Sequence, residues 1–298
     1  MLYPITFSIA SEKIIDYIPI KKKIISSLIP GNQRTYIYET EEEYYEEYRT
    51  SWFATTTKKG GWDCLRHYEI LANGCIPYFP NFEKCPINTM ALFPKDLILF
   101  GNQLYKRFTK PEGPSEEDIK DYNGLCKKLL EYMKNNLTTE KIAEYILKKS
   151  SLCEAKKILF LSSKLDPDYL RCLTLHGFKV LFGTECHDYP KIPHIYKCKD
   201  INYKNLYGKG MTYTNLLDSS LHNDSYDLLI EEKIKEKYFD CVIYGTCHRS
   251  MPYFDLVNNI YKPNEIILLC GEDENRCKCK SHSQQLINKG YTLFIREL

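Results

Sequence analysis

The segment from Ser51 to Asn81, SWFATTTKKGGWDCLRHYEILANGCIPYFPN, restricts the fold more than any other part of the chain. Residues 52–57 are apolar and β-branched, as in a strand, and residues 58–61 form a basic turn with two glycines. Residues 63–73 have helical spacing and stop before Gly74, a natural helix C-cap. Residues 75–79 form a second apolar run. A strand, a glycine turn, a helix and a strand in this order make half of a parallel α/β unit.

The helix in this segment has two different faces. At about 100° per residue, one face is apolar and suits a core. The other face aligns Trp62, Arg66, Glu69 and Asn73, which a helix that only packs in a core does not need. Arg66 and Glu69 are three residues apart and can form an ion pair on a solvated face. The alternative is that this face binds a ligand.

The turn before this helix has the features of an anion site. Gly60 and Gly61 let the backbone approach a ligand closely, and the N-terminus of a helix attracts negative charge. Lys59 adds positive charge, and Arg66 can reach a phosphate with two parallel hydrogen bonds. These residues predict a cradle for a nucleotide diphosphate, with Glu69 accepting hydrogen bonds from a ribose.

The stretch KGGWDCLRHYEILANGCIPYFPN resembles the donor-binding segment of exostosin-like glycosyltransferases, which have the GT-B architecture. In that family a strand and a glycine-rich turn precede an Arg-x-x-Glu helix, and a small residue, Cys-Ile/Val-Pro and a strand follow. Two features differ from the family. The dipeptide after the glycines stands where the family often has a Ser, and the segment lies in the first half of the chain, whereas GT-B enzymes usually carry it in the second. The matching positions are Arg66, Glu69, Gly74, Cys75, Ile76 and Pro77.

The resemblance implies that the chain is a glycosyltransferase in which Glu69 binds the ribose of a sugar nucleotide, while Arg66 and the glycine turn bind the diphosphate. It implies an inverting, metal-independent transfer from a nucleotide sugar, most simply UDP-linked, to a hydroxyl of a glycan acceptor, with no cofactor required. The donor-binding residues predicted on this basis are Lys59, Gly60, Gly61, Trp62, Asp63, Arg66 and Glu69.

Length and composition limit the class of protein. With 298 residues the chain has room for two domains, and its formal net charge of +2 gives no reason to expect nucleic-acid binding. Thirteen cysteines, an odd number in a chain of this length, predict reduced thiols. No stretch approaches the ~20 apolar residues of a membrane-spanning helix, and the first residues lack the pattern of a signal peptide. We therefore expect a cytoplasmic protein with no integral membrane segment.

The chain divides near residue 150 into two predicted domains. Residues 1–150 hold the donor segment, short helices at 21–28 and 41–49, and a helical tail whose two helices are capped by Ser115 and by Thr138 or Thr139. Residues 151–298, the probable acceptor side, alternate strands at 157–161, 179–182, 240–244, 265–270 and 291–296 with helices at 168–176, 228–236, 254–259 and 282–288. Such alternation predicts a parallel sheet with helices on both faces. The predicted fold class is therefore α/β, with two Rossmann-like domains facing a GT-B-like cleft in reversed order.

Polar loops follow several of these strands. Because ligands bind at the carboxyl ends of parallel strands, residues 183–188, 245–250 and 271–274 are predicted to face the cleft. An inverting transferase needs a general base to deprotonate the acceptor hydroxyl, and His187, Asp188 and His248 are the candidates. The alternative for either histidine is an ordinary loop residue whose ring bonds to the backbone.

Other signals are weaker. The residues Cys270, Cys277, Cys279 and His282 are possible zinc ligands, but their spacing lacks the paired Cys-x-x-Cys pattern, so no metal site is predicted. Two further functions stay open. One is a noncatalytic nucleotide-sugar-binding or carbohydrate-binding protein, or an inactive partner of a true transferase. The other is a methyltransferase that uses the second half, but the sequence lacks a glycine-rich turn after residue 161.

Overall fold

A computed structural model describes residues 1–163, 165–198 and 201–298. These residues form two parallel β-sheets with helices around them. Six strands form one sheet in the order β1-β9-β8-β7-β5-β6, and three form the other in the order β2-β3-β4. Every strand pairing is parallel, which confirms the predicted α/β class. The strands are β1 (Leu2–Pro4), β2 (Lys23–Ile25), β3 (Ser51–Thr55), β4 (Ile76–Tyr78), β5 (Ile158–Leu161), β6 (Cys186–Tyr189), β7 (Cys241–Tyr244), β8 (Ile266–Cys270) and β9 (Thr292–Ile295).

Several helices begin at a polar residue whose side chain caps the first turn. In four of them, the capping side chain accepts a hydrogen bond from a backbone N–H in the first turn of the helix that follows. This bond satisfies a donor that the helix itself leaves unpaired. The four capping residues are Thr40, Ser115, Thr138 and Asp168. Within the described ranges, none of the helices combines the length and apolar character needed to cross a bilayer. The helices are α1 (Glu41–Arg49), α2 (Leu65–Ala72), α3 (Lys95–Phe108), α4 (Glu116–Asn136), α5 (Thr139–Lys149), α6 (Tyr169–Phe182), α7 (Asp224–Leu228), α8 (Ile230–Lys235), α9 (Phe254–Ile260), α10 (Lys278–Ser281) and α11 (Ser283–Asn288).

The central strands of the large sheet are buried on both faces. All residues of β5, β7 and β8 are buried, and their sequences ILFL, CVIY and IILLC are continuous apolar runs. Successive side chains of a strand point to opposite faces, and accordingly Phe160 and Ile243 join one core cluster while Leu161 and Val242 join another. Helices therefore cover both sides of this sheet, as expected for parallel strands.

The first strand of the chain belongs to the large sheet. Leu2 lies opposite Leu293 and Pro4 opposite Ile295, so β1 extends the sheet next to the last strand, β9. The chain then runs through buried residues 5–10 toward the small sheet. Residues 2–4 thus share a sheet with the second half of the chain, and the domain division near residue 150 stays a prediction.

Most of the predicted elements are present, and several assignments are wrong, among them those for residues 179–182 and 21–28. The order β3, α2, β4 is confirmed, and Gly74 ends α2 with a φ of +61°. Residues 179–182 are the last turn of α6 rather than a strand, and the strand follows as β6. Residues 21–28 contain β2 rather than a helix, because Lys23 and Ile25 pair with β3. In both places the apolar run was too short for its spacing to separate helix from strand.

Candidate functional site

One cavity lies where residues that follow β1, β3, β8 and β9 come together. Its volume of about 470 Å³ falls in the range of about 300–1,000 Å³ that is usual for small-molecule sites. Both sheets contribute to it, as expected for ligand sites at the carboxyl ends of parallel strands. The residues that line it are Phe7, Gly31, Gln33, Tyr36, Tyr38, Tyr44, Lys59, Gly60, Gly61, Asp63, Cys64, Leu65, Arg66, Glu69, Tyr169, Gly208, Lys209, Met211, Asp273 and Arg296.

The Gly60-Gly61 turn packs against two carboxylates of the protein itself. A Cβ on Gly60 would lie 2.1 Å from Oδ2 of Asp273, and a Cβ on Gly61 would lie 2.3 Å from Oε1 of Glu297. Glu297 also accepts hydrogen bonds of 3.0 Å from the N–H groups of the next two residues of the turn. The glycines are thus required for the approach of these loops, and part of the predicted anion cradle holds an internal carboxylate.

Trp62 lies behind the cavity wall. Its side chain is buried, and its ring packs against Phe79 with the two ring centroids 6.0 Å apart. Lys58 Nζ lies 5.1 Å from the indole centroid, in the range of a cation–π contact. Of the predicted donor-binding set, Trp62 is therefore the residue whose side chain does not line the cavity.

Arg66 faces the cavity from the first turn of α2. Its side chain is half-buried, and its Nη1 is a buried donor that has no hydrogen-bond partner among the described residues. Among the described residues, no side chain caps α2, and its N-cap residue Cys64 and first residue Leu65 also line the cavity. With Lys59 on the opposite side of the glycine turn, this end of the cavity combines a helix N-terminus with two cations.

Glu69 lines the same cavity one turn further along α2. Its oxygens accept 2.7 Å hydrogen bonds from the hydroxyls of Tyr44 and Thr212, rather than from Arg66. Burial raises the pKa of this carboxyl, although the two hydroxyls and Arg66 oppose the rise. A carboxylate has about four acceptor positions, so these two bonds leave Glu69 able to accept more.

Asp63 is a buried carboxyl in the cavity lining, held by two hydrogen bonds. Its Oδ2 accepts a 2.7 Å hydrogen bond from the backbone N–H of Phe7, and its Oδ1 accepts one of 2.9 Å from the Tyr68 hydroxyl. Burial raises the pKa of Asp63 to about 7, against the opposing charge of Arg296. An acid with this pKa is suited to exchanging a proton at neutral pH.

The loops after β8 and β9 supply cavity residues that do not belong to the predicted donor-binding set. Arg296 donates to Oδ1 of Asp273 over 2.6 Å and to Oε1 of Glu297 over 2.8 Å, and it also donates to the carbonyl of Asp63. Its guanidinium lies 4.7 Å from the ring centroid of Phe7. Asp273 follows a buried strand, and this position in the sequence was the reason to expect it at the cleft. Arg296 follows the next strand along the chain and could have been found in the same way.

His187 and Asp188 lie away from the cavity. Both belong to β6, the edge strand of the large sheet, rather than to the loop in which the sequence predicted them. Asp188 is fully buried and accepts hydrogen bonds from Tyr196 and His222. Burial works against its charge, but His222 and the Lys179 ammonium outweigh this and hold the pKa of Asp188 below its usual value. Neither residue is among those that line the cavity.

His248 does follow β7, as predicted, but it lies outside the cavity lining. Its Nε2 is 3.7 Å from Oδ2 of Asp168, the carboxylate that also pairs with Arg249 over 3.1 Å. Burial lowers the pKa of His248. The structure thus brings none of the three candidates for the general base into the cavity lining, and their catalytic role stays a prediction.

Four thiols gather beside the cavity loops. The Sγ atoms of Cys270 and Cys277 are 3.4 Å apart, and those of Cys247 and Cys279 are 3.6 Å apart. His282, which the sequence grouped with three of them, bonds through Nδ1 to the backbone of its own helix turn. All thirteen cysteines are free thiols.

No family model matches the sequence, and neither the curated proteins nor the solved structures include a match. The resemblance to exostosin-like glycosyltransferases therefore rests on residues 59–81 alone. Function has to be inferred from the residues around the cavity.

Proposed function

We propose that the chain is a glycosyltransferase that moves a sugar from a nucleotide sugar, most simply UDP-linked, to a glycan hydroxyl. The observation that carries this proposal is that Arg66, Glu69 and the glycine turn line a single cavity of suitable size. In the proposed arrangement the two sheets with their helices act as two Rossmann-like lobes, and the donor lies between them, as in GT-B enzymes.

The diphosphate is proposed to bind at the N-terminal end of α2. Arg66 has a buried donor with no partner among the described residues, and a guanidinium binds phosphate oxygens through two parallel hydrogen bonds. Lys59 and the first N–H groups of the helix add positive potential there. As the sugar leaves, negative charge grows on the diphosphate, and these groups stabilise it.

The nucleoside is proposed to occupy the aromatic part of the cavity. Tyr36, Tyr38, Tyr169 and Phe7 all line it, and aromatic rings bind flat bases and sugar faces through stacking. Glu69 would accept hydrogen bonds from ribose hydroxyls, because its two existing hydrogen bonds leave acceptor positions open.

We further propose Asp63 as the base for an inverting transfer. It lines the cavity, and its pKa of about 7 matches a group that takes a proton from a hydroxyl at neutral pH. This role replaces the one that the sequence suggested for His187, Asp188 or His248, none of which lines the cavity.

Two measurements on the purified chain test the proposal. A thermal-shift panel compares UDP and UDP-sugars with UMP and with inorganic phosphate, and we expect the diphosphates to raise the melting temperature most, since ligands of the native state stabilise it. Incubation with the stabilising UDP-sugar should then slowly release free sugar and UDP. Failure of every nucleoside diphosphate to raise the melting temperature would refute the donor site.

A noncatalytic nucleotide-sugar-binding protein is the second candidate. It is favoured by the internal carboxylate of Glu297, which already accepts the N–H groups of Trp62 and Asp63. Binding of UDP-sugars without hydrolysis, and without transfer to any acceptor in a glycan panel, would support this candidate over the enzyme.

A further inference from the structure

Two histidines and an aspartate meet at the edge of the large sheet. His187 lies on the edge strand β6, His222 precedes α7, and Asp227 belongs to α7. Their ligand atoms all lie within 4.8 Å of one another. The side chains of His187 and His222 are 2% and 0% exposed, whereas that of Asp227 is 28% exposed. We propose that this cluster binds a divalent transition-metal ion, of which zinc suits it best.

The distances fit three ligands around one ion. Nε2 of His187 is 2.9 Å from Oδ1 of Asp227, and Nε2 of His222 is 3.2 Å from Oδ2 of the same carboxylate. Nitrogen and oxygen ligands at about 2.0–2.2 Å from zinc are separated from one another by about 3 Å or slightly more. The two imidazole centroids are 5.0 Å apart with planes inclined by 30°, so both Nε2 atoms can face one point.

Hydrogen bonding does not explain the contact between His187 and Asp227. Although Nε2 and Oδ1 are 2.9 Å apart, both atoms are buried without a hydrogen-bond partner among the described residues, because their orientation is unsuitable. A neutral imidazole nitrogen carries a lone pair and is a common metal ligand. A cation between the two atoms satisfies both of them.

Asp188 holds His222 in the orientation that ligation needs. Nδ1 of His222 donates to Oδ1 of Asp188 over 2.9 Å, which leaves Nε2 facing Asp227. Asp188 is itself fixed by the Tyr196 hydroxyl at 2.6 Å and by the Lys179 ammonium at 3.0 Å. A carboxylate behind a ligating histidine is the usual outer-shell partner in metal sites.

The charge around the cluster also favours a cation. Besides Asp188 and Asp227, Oδ1 of Asp224 lies 3.6 Å from Nε2 of His222. Against these three carboxylates stand the ammonium groups of Lys179 and Lys191, the latter 3.3 Å from Asp224. The surplus of negative charge, together with imidazole ligands, selects zinc or a similar transition metal over magnesium or calcium.

The proposed ion has a structural role. It ties residues 222–227 to β6, and edge strands are the parts of a sheet that need such protection. The competing explanation is that the imidazole of His222 bonds directly to Asp188 and Asp227 without any metal, because both of its nitrogens face carboxylates. The two explanations differ in whether zinc stabilises the fold.

The test uses the full chain, stripped with a chelator and titrated with zinc sulfate. We expect the wild type to bind one more equivalent of zinc than Asp227→Asn, and to melt several degrees higher with zinc than without it. Asp255→Asn is the control, because it removes an exposed carboxylate from α9 and should behave as the wild type. Equal zinc content in the wild type and in Asp227→Asn would overturn the proposal.

Zinc held by the four clustered thiols has to be distinguished from this site. With cobalt(II) in place of zinc, the difference spectrum between the wild type and Asp227→Asn should show visible d–d bands but no sulfur-to-cobalt charge-transfer band. Should Asp227→Asn not fold, anomalous scattering from zinc-soaked wild-type crystals decides the matter. A peak between His187, His222 and Asp227 supports the site, and a peak only at the cysteines, or none, overturns it.

Discussion

The carboxylate of Glu297 occupies the space that a side chain on Gly61 would need. Its Oε1 lies 2.3 Å from the position of a Cβ on Gly61, and its two oxygens accept the next two N–H groups of the turn. The penultimate residue of the chain is thereby fixed to the N-terminal end of α2. This contact joins the loop after β9 to the loop after β3, and it shapes one wall of the cavity.

Gly61→Ala should destabilise the protein by about 1–3 kcal/mol, because the added methyl group forces Glu297 or Arg296 to move. Gly124→Ala is the matched control. Nothing lies within 4 Å of a Cβ at Gly124, which is inside α4, so there alanine should stabilise by about 0.5–1 kcal/mol. Urea denaturation measures both changes, and equal unfolding free energies for the two variants would contradict the close approach of Glu297.

Arg66→Gln should weaken UDP binding by about 10–100-fold, because it removes a charged hydrogen bond to the diphosphate. The affinity of Arg66→Lys for UDP should fall between those of the wild type and Arg66→Gln, since lysine keeps the charge but lacks the planar guanidinium. Lys128→Gln removes a positive charge from an exposed position of α4 and should leave affinity unchanged. Isothermal titration at one salt concentration compares the four proteins, and equal affinities for Arg66→Gln and Lys128→Gln would exclude Arg66 as a phosphate ligand.

The buried Asp63 should make stability depend on pH in a defined direction. Folded Asp63 keeps its proton up to about pH 7, whereas the ordinary pKa of the group is 3.8. The folded state therefore binds more protons between these values, and the free energy of unfolding falls as pH rises through this window, by at most about 4 kcal/mol. Asp63→Asn should remove this fall.

Other groups titrate in the same range. The quantity that reports on Asp63 is therefore the difference in stability between the wild type and Asp63→Asn at each pH. Burial lowers the pKa of His67 to about 3, which makes stability rise with pH between about 3 and 6.5 in both proteins alike. Thermal melts from pH 4 to pH 8 give the difference. A difference that stays constant across this range would show that Asp63 has an ordinary pKa.

Thr212 connects the segment around residue 210 to the site. Its hydroxyl lies 2.7 Å from Oε1 of Glu69 and 2.7 Å from the Tyr45 hydroxyl. Thr212→Val keeps the shape but removes one hydrogen bond from each of these partners, so it should cost about 1–3 kcal/mol of stability. Thr212→Ser keeps the hydroxyl and should stay close to the wild type. If chemical denaturation gave the same free energy of unfolding for Thr212→Val and Thr212→Ser, the hydroxyl would not contribute to stability.

Residues 179–182, predicted as a strand, and residues 21–28, predicted as a helix, are the two wrong assignments that the folded chain explains. In α6 the sequence LTLHGFKVLF is largely apolar, and the predicted helix ended at residue 176, directly before Gly177. In the folded chain Gly177 lies against α5 so closely that a Cβ would be 2.0 Å from the carbonyl oxygen of Thr139. The glycine serves helix packing, which no local pattern reveals. For β2, pairing with β3 decided the conformation of a short run whose own propensity is weak.

The sequence by itself determined the α/β class, the Ser115 cap of α4 and the placement of Arg66 and Glu69 on one face of α2, because periodicity and capping are local properties. Tertiary structure alone decided that Glu297 occupies part of the anion cradle, that Thr212 bonds Glu69, and that His187, His222 and Asp227 meet at the sheet edge. These contacts join residues far apart in the chain, and their positions follow from how the sheets and loops pack rather than from any spacing in the sequence.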